Sequence, residues 1–147
     1  MQTLIALGLA LVLVPPAAAE TIYVSNEQDN TVAVVDGATM TLQAAIDVGR
    51  RPRGMALSVD KKVLFVAEGD DNRIDVVDLA KRQVVGQLPS GADPEFFVVH
   101  PDGKRLFVAN ENDNQVSVVD IAGAKIIGTV DVGVEPVGVS PAPPDFC

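Results

Sequence analysis

The chain has 147 residues, room for one ordinary domain but not for two comfortable ones. Hydrophobic residues make up 48% of it, but aromatic residues only 4% and Trp is absent, so apolar burial falls to Val, Leu, Ile and Ala, side chains that pack well on a pleated sheet. Twenty acidic against eleven basic residues give a formal charge of −9, which repels phosphate backbones and anionic lipid headgroups and excludes nucleic acid as a partner.

In chain order, residues 1–19 read as a signal peptide. An apolar run from Leu4 to Val14 is broken by Pro15 and Pro16, and Ala17-Ala18-Ala19 offers a small-residue cleavage site before Glu20. The run is too short to span a bilayer, and no Cys follows it to carry a lipid. The expectation is therefore a periplasmic or secreted product cleaved after Ala19, with no stable membrane anchor after cleavage. A single Cys147 cannot close an internal disulfide.

From residue 20 onward the sequence repeats itself without gaps at a spacing of 42. Tyr23, Phe65 and Phe107 hold this register, as do Asn30, Asn72 and Asn114; Asp36, Asp78 and Asp120; Gly49, Gly91 and Gly133; and Pro52, Pro94 and Pro136. Each unit starts with a hairpin, such as Leu64–Ala67 running through a polar turn at 68–72 into Ile74–Asp78. The Asn positions suit a turn that needs positive φ or a side chain bonded to the local backbone. A third strand is expected at Leu42–Val48, Val84–Leu88 and Ile126–Val132. Gly and Pro three residues apart then mark a crossing loop, and a fourth strand begins near Arg53, Glu95 and Val137.

Four short antiparallel strands in a repeat of this length predict an all-β fold, a partial β-propeller of about three four-stranded antiparallel blades over residues 20–147. The register gives three outer strands, two whole blades and one extra inner strand. Asp36, Asp78 and Asp120 close the second strand in every unit, and a residue needed once per blade is structural: the carboxylate is expected to accept N–H groups of the following loop.

Tyr23-Val24-Ser25-Asn26, Phe65-Val66-Ala67-Glu68 and Phe107-Val108-Ala109-Asn110, with Val-Val-Asp downstream in each unit and His100-Pro101-Asp102-Gly103-Lys104, resemble the YVTN-repeat β-propellers. Leu88-Pro89-Ser90-Gly91-Ala92-Asp93-Pro94-Glu95 is similar to a subgroup of periplasmic propellers associated with pyrroloquinoline quinone-dependent alcohol catabolism. The resemblance implies an exported bacterial or archaeal propeller, often of seven blades, with no catalytic residues established for the family and no implication that this chain binds the quinone. The register departs near the end, where Ser140-Pro141 arrives two positions early. Either the blade loop is shortened there, or the chain is a truncated or frame-shifted N-terminal piece of a longer propeller; a further alternative is that two chains complete each other through their open blade edges.

Candidate chemistry is sparse. Arg50, Arg51 and Arg53 form the one basic cluster, in a crossing loop where the next unit carries Ala92, Asp93 and Glu95, and non-repeated residues of this kind suit an anionic ligand or an acidic partner patch. The acidic tips Asp29, Asp70, Asp71 and Asp113 match no calcium loop and read as turn residues. His100, the only histidine, reads as a substitute for the Ser of the usual turn, and with no companions it forms neither a zinc site nor a triad. No catalytic residue, metal or cofactor is assigned. The expected function is an exported binding or scaffold module of the bacterial periplasm, meeting another periplasmic protein or a small ligand, with a quinoprotein alcohol-oxidation system as its setting. The alternative is a piece of a propeller enzyme or electron-transfer component whose site lies in further blades.

Overall fold

The computed structural model describes residues 20–142. The signal-peptide reading and Cys147 lie outside the described residues. Eleven strands follow one another without a helix among those residues: β1 (Thr21–Asn26), β2 (Thr31–Asp36), β3 (Thr41–Asp47), β4 (Pro52–Leu57), β5 (Val63–Glu68), β6 (Arg73–Asp78), β7 (Gln83–Pro89), β8 (Pro94–Val99), β9 (Arg105–Asn110), β10 (Gln115–Asp120) and β11 (Lys125–Asp131).

They form three antiparallel meanders, β1-β2-β3, β4-β5-β6-β7 and β8-β9-β10-β11, each a blade of a partial β-propeller. The register recurs as the sequence does. Val66 faces Asp75 in the middle blade, Val108 faces Ser117 in the third and Val24 faces Ala33 in the first. A bulge follows Val34, Val76 and Val118 at the same place in each second strand. The extra inner strand expected near Val137 is not formed, because residues 132–142 have no sheet of their own to join.

The middle blade is covered on both faces. Val32, Val34 and Ile46 of the first blade pack with Leu64, Val66 and Val77 of the second. The opposite face of the middle blade, Phe65, Ala67 and Ile74, packs with Phe97, Leu106, Val108 and Val119 of the third. Successive side chains of a strand point to opposite faces, so a blade covered on both sides needs an unbroken apolar run, and Leu64-Phe65-Val66-Ala67 supplies it. On the outer flank no blade covers β11 among the described residues, and all of its residues are exposed.

Turn chemistry follows the expectation in two units. Asp36 accepts the N–H groups of Ala38 and Thr39, both at 2.9 Å, and Asp78 those of Ala80 and Lys81 at 3.0 and 2.9 Å. These bonds favour the ionised form and hold both carboxyls below the usual range, the Thr39 N–H contributing most at Asp36 and the Lys81 N–H at Asp78. Asp120 makes no such bond. His100 occupies the place of Ser58: its Nδ1 accepts the Asp102 N–H at 3.2 Å, while Ser58 Oγ binds Asp60 at 2.7 Å.

Candidate functional site: a charged belt across the crossing loops

The turn asparagines do more than the sequence foretold. Asn30, Asn72 and Asn114 have φ of 56°, 55° and 54°, in the left-handed region where Asn is well tolerated. Their side chains bond distant backbone in place of local backbone: each Oδ1 accepts an N–H from 21 residues downstream, Arg51 at 3.0 Å, Asp93 at 2.9 Å and Glu135 at 3.0 Å. These three acceptor-bound residues also have positive φ, 57°, 54° and 52°. Each hairpin tip is thereby tied to the crossing loop that opens the next blade, and the loops of successive blades are stacked on one face.

The tips contribute a second tie. Asp71 Oδ2 accepts the Arg50 N–H at 2.9 Å, and Asp113 Oδ2 accepts the Ala92 N–H at 2.6 Å. The Arg50 N–H is the main reason that the Asp71 carboxyl is held below its ordinary value. Gly49 and Gly91 are required by this approach. A side chain at Gly49 would collide with Glu68, Arg73 and Asp71, and one at Gly91 with Asp113 and Asn110.

Stacked loops bring register-equivalent residues side by side, so the charge change from one unit to the next becomes a row of ion pairs. Arg51 and Asp93, 42 residues apart, are bonded through Nη2 and Oδ1. Arg53 and Glu95, also 42 apart, form a two-pronged pair, with Arg53 Nε 3.0 Å from Glu95 Oε2 and Nη2 against Oε1. Arg53 further reaches Glu27 of the first blade at 3.3 Å, Arg51 reaches Asp70 at 3.3 Å, and Arg50 binds Asp71 at 2.7 Å. All five candidate residues, Arg50, Arg51, Arg53, Asp93 and Glu95, therefore lie in one belt. Asp93 and Glu95 are buried, and Arg50 projects with two thirds of its side chain exposed (67%).

Four members of the belt were missed by the sequence reading. Glu111 joins Asp93 and Glu95 so that carboxylate oxygens of all three lie within 4.8 Å of one another, and Asn112 donates to Asp93 at 3.2 Å. Contact with Glu95, first by hydrogen bond, raises the Glu111 carboxyl above its ordinary value. The arginines already compensate Asp93 and Glu95. Glu68 and Asp75 are both completely buried, at 0% and 1% exposure. Asp75 is satisfied by Arg73 Nε at 2.8 Å and the Gly49 N–H at 2.9 Å, whereas neither Glu68 carboxylate oxygen has a hydrogen-bond partner. Burial, reinforced by the nearby Asp75 charge, pushes Glu68 up to about 8. The signal was present in the register: Asn26 and Asn110 stand where the middle unit has Glu68, and Ala33 and Ser117 where it has Asp75. In the third blade the pair is neutral and satisfied, with Asn110 donating to Ser117 Oγ at 2.8 Å and accepting the Gly91 N–H at 3.0 Å.

Meandering blades stacked face to face, tied at one end by crossing loops, define a β-propeller repeat protein. Residues 60–142, more than half of the chain, match the YNCE-like beta-propeller family, and the chain belongs to that family. No curated protein matches it. Among solved structures it is similar to the Kuenenia stuttgartiensis hydrazine synthase, with 25% identity and a TM-score of 0.70 over 77% of this chain. The match spans 34% of the hydrazine synthase chain.

Proposed function

We propose that the chain is a binding or scaffold module of the bacterial periplasm, exported by residues 1–19, whose contact surface is the charged belt of the crossing loops. The observation that carries the reading is that the non-repeated charges Arg50, Arg51, Arg53, Asp93 and Glu95 lie together on one face, with the Arg50 head projecting from it. A repeat protein needs its recurring residues for folding, so side chains that break the repeat on one face are the ones free to specify a partner. The leader-like opening supports export, and the likeness of Leu88–Glu95 to quinone-associated propellers supports a quinoprotein alcohol-oxidation system as the setting.

The test is fractionation of the source cell followed by affinity capture of the tagged chain. The chain is expected in the periplasmic fraction, retaining a quinoprotein dehydrogenase subunit, with retention reduced about tenfold by Arg50→Ala through loss of an exposed charged contact. A product confined to the cytoplasm, or undiminished capture by the variant, refutes the reading. One observation favours a second reading, a propeller module of an enzyme or electron-transfer component: the similar solved structure is named a synthase. A redox cofactor that co-purifies with the chain would decide for it.

A further inference from the structure

The wedge between the first two blades holds a polar cavity at the end of the strands away from the belt, where β1 and β2 pair Thr21 with Asp36. It measures about 260 Å³ and is lined by β1, β2 and β3 of the first blade and by the turn between β6 and β7 of the second. Four of its residues depart from the repeat in the same direction. Thr21, Tyr23, Gln43 and Arg82 stand where the next unit has Val63, Phe65, Val85 and Ala124, so polar groups replace apolar ones at one spot. Between the second and third blades the corresponding cavity has Val63 and Phe65 in its wall, with Val76 and Ile121. Arg82 completes the pattern. Arg50, Arg51, Arg53, Arg73 and Arg105 are all ion-paired, whereas the Arg82 side chain makes no ion pair and no hydrogen bond among the described residues.

We infer that this cavity binds a free α-amino acid with an apolar side chain, its carboxylate on Arg82 and its ammonium on Asp36. The charges of the lining select that class. A guanidinium without a partner matches a carboxylate in a two-pronged pair. Asp36 uses Oδ1 for both turn N–H groups, at 2.9 Å each, while its Oδ2 accepts no hydrogen bond among the described residues, and the Glu20 carboxylate lines the same cavity. One cation beside two anions repels a plain anion at one end and a plain cation at the other, so a zwitterion is the small charge pattern that satisfies both. Gln43 donates its amide N–H to Thr41 at 3.0 Å, which leaves its Oε1 to accept an ammonium hydrogen. The Tyr23 ring, Val34 and Leu79 belong to the core between the two blades and supply an apolar wall for the ligand's side chain. Volume sets the size. Drug-sized ligands occupy clefts of about 300–1,000 Å³, and this smaller cavity suits a single amino acid.

Isothermal titration calorimetry of the full chain with L-leucine, L-valine and L-phenylalanine tests this. Leucine should bind, whereas leucinamide, which lacks the carboxylate, and isocaproate, which lacks the ammonium, should bind at least about tenfold more weakly. Arg82→Ala should weaken leucine binding at least about tenfold with the fold retained, because Ala124 holds the same turn position at φ 47° where Arg82 has 53°. Circular dichroism checks the fold of the variant, and Lys81→Ala, next to Arg82 but outside the cavity lining, should bind leucine as the parent does. No binding of the three amino acids at millimolar concentration, equal binding of leucinamide or isocaproate, or undiminished binding by Arg82→Ala overturns the inference.

Discussion

Glu68→Gln should make the protein more stable at neutral pH and flatten its response to pH. In the folded chain the Glu68 carboxyl loses its proton at about 8 in place of the ordinary 4.5. Below the ordinary value the group is protonated whether the chain is folded or not, and it contributes no difference. Above it the unfolded chain ionises freely while the buried carboxyl resists, so stability falls as the pH rises and levels off once the folded value is passed. At pH 7 the gap corresponds to about 3 kcal/mol, at 1.36 kcal/mol per unit, and relaxation around the charge reduces the measurable effect to about 1–3 kcal/mol. Glutamine has the size of the protonated acid and cannot ionise, and its amide can donate toward the Asp75 carboxylate, much as Asn110 donates to Ser117. Urea unfolding of both proteins at about pH 5, 7 and 8.5 isolates the effect, because Asp71, Arg73 and Asp75 are common to both. Parallel stability curves would refute the reasoning, showing that Glu68 is not held neutral by its surroundings.

Leu106→Ala removes a fully buried side chain from the core between the middle and third blades, and a loss of about 2–5 kcal/mol is expected in thermal or urea unfolding followed by circular dichroism. Asn72→Ala should destabilise by about 1–3 kcal/mol, since it removes the acceptor for the Asp93 N–H and places a Cβ residue without local compensation at positive φ; Asn72→Gly keeps the backbone at ease, so the difference between the two variants measures the conformational part.

The fold was legible because blade stacking imposes one environment on each register position. Tyr23, Phe65 and Phe107 recur because the same strand meets the same neighbour, and the ungapped spacing of Gly49, Gly91 and Gly133 with Pro52, Pro94 and Pro136 located every crossing loop. What the register does not disclose is which residues touch across a blade boundary. Arg51 and Asp93 look like unrelated departures in a linear reading, and only the stacking of one loop on the next makes them partners. Glu68 was hidden for a related reason: a carboxylate at the end of an apolar strand reads as the first residue of a polar turn, and its complete burial follows from the close approach of Gly49 across the boundary. The extra inner strand was expected because register alone cannot say whether a sheet stands ready to receive it.

The ties across each boundary join residues one half or one whole period apart, Asn30 to Arg51 and Asn72 to Asp93 by side chain to backbone, Arg51 to Asp93 by charge. The uncharged ties are the same at each joint, so whole units could be duplicated or lost in the gene without spoiling any joint they make. The charged tie is different: it demands an arginine-bearing unit directly before an acidic one. The belt thus works as an address that fixes the order of otherwise interchangeable parts, and a shuffled gene would keep its architecture while losing that order.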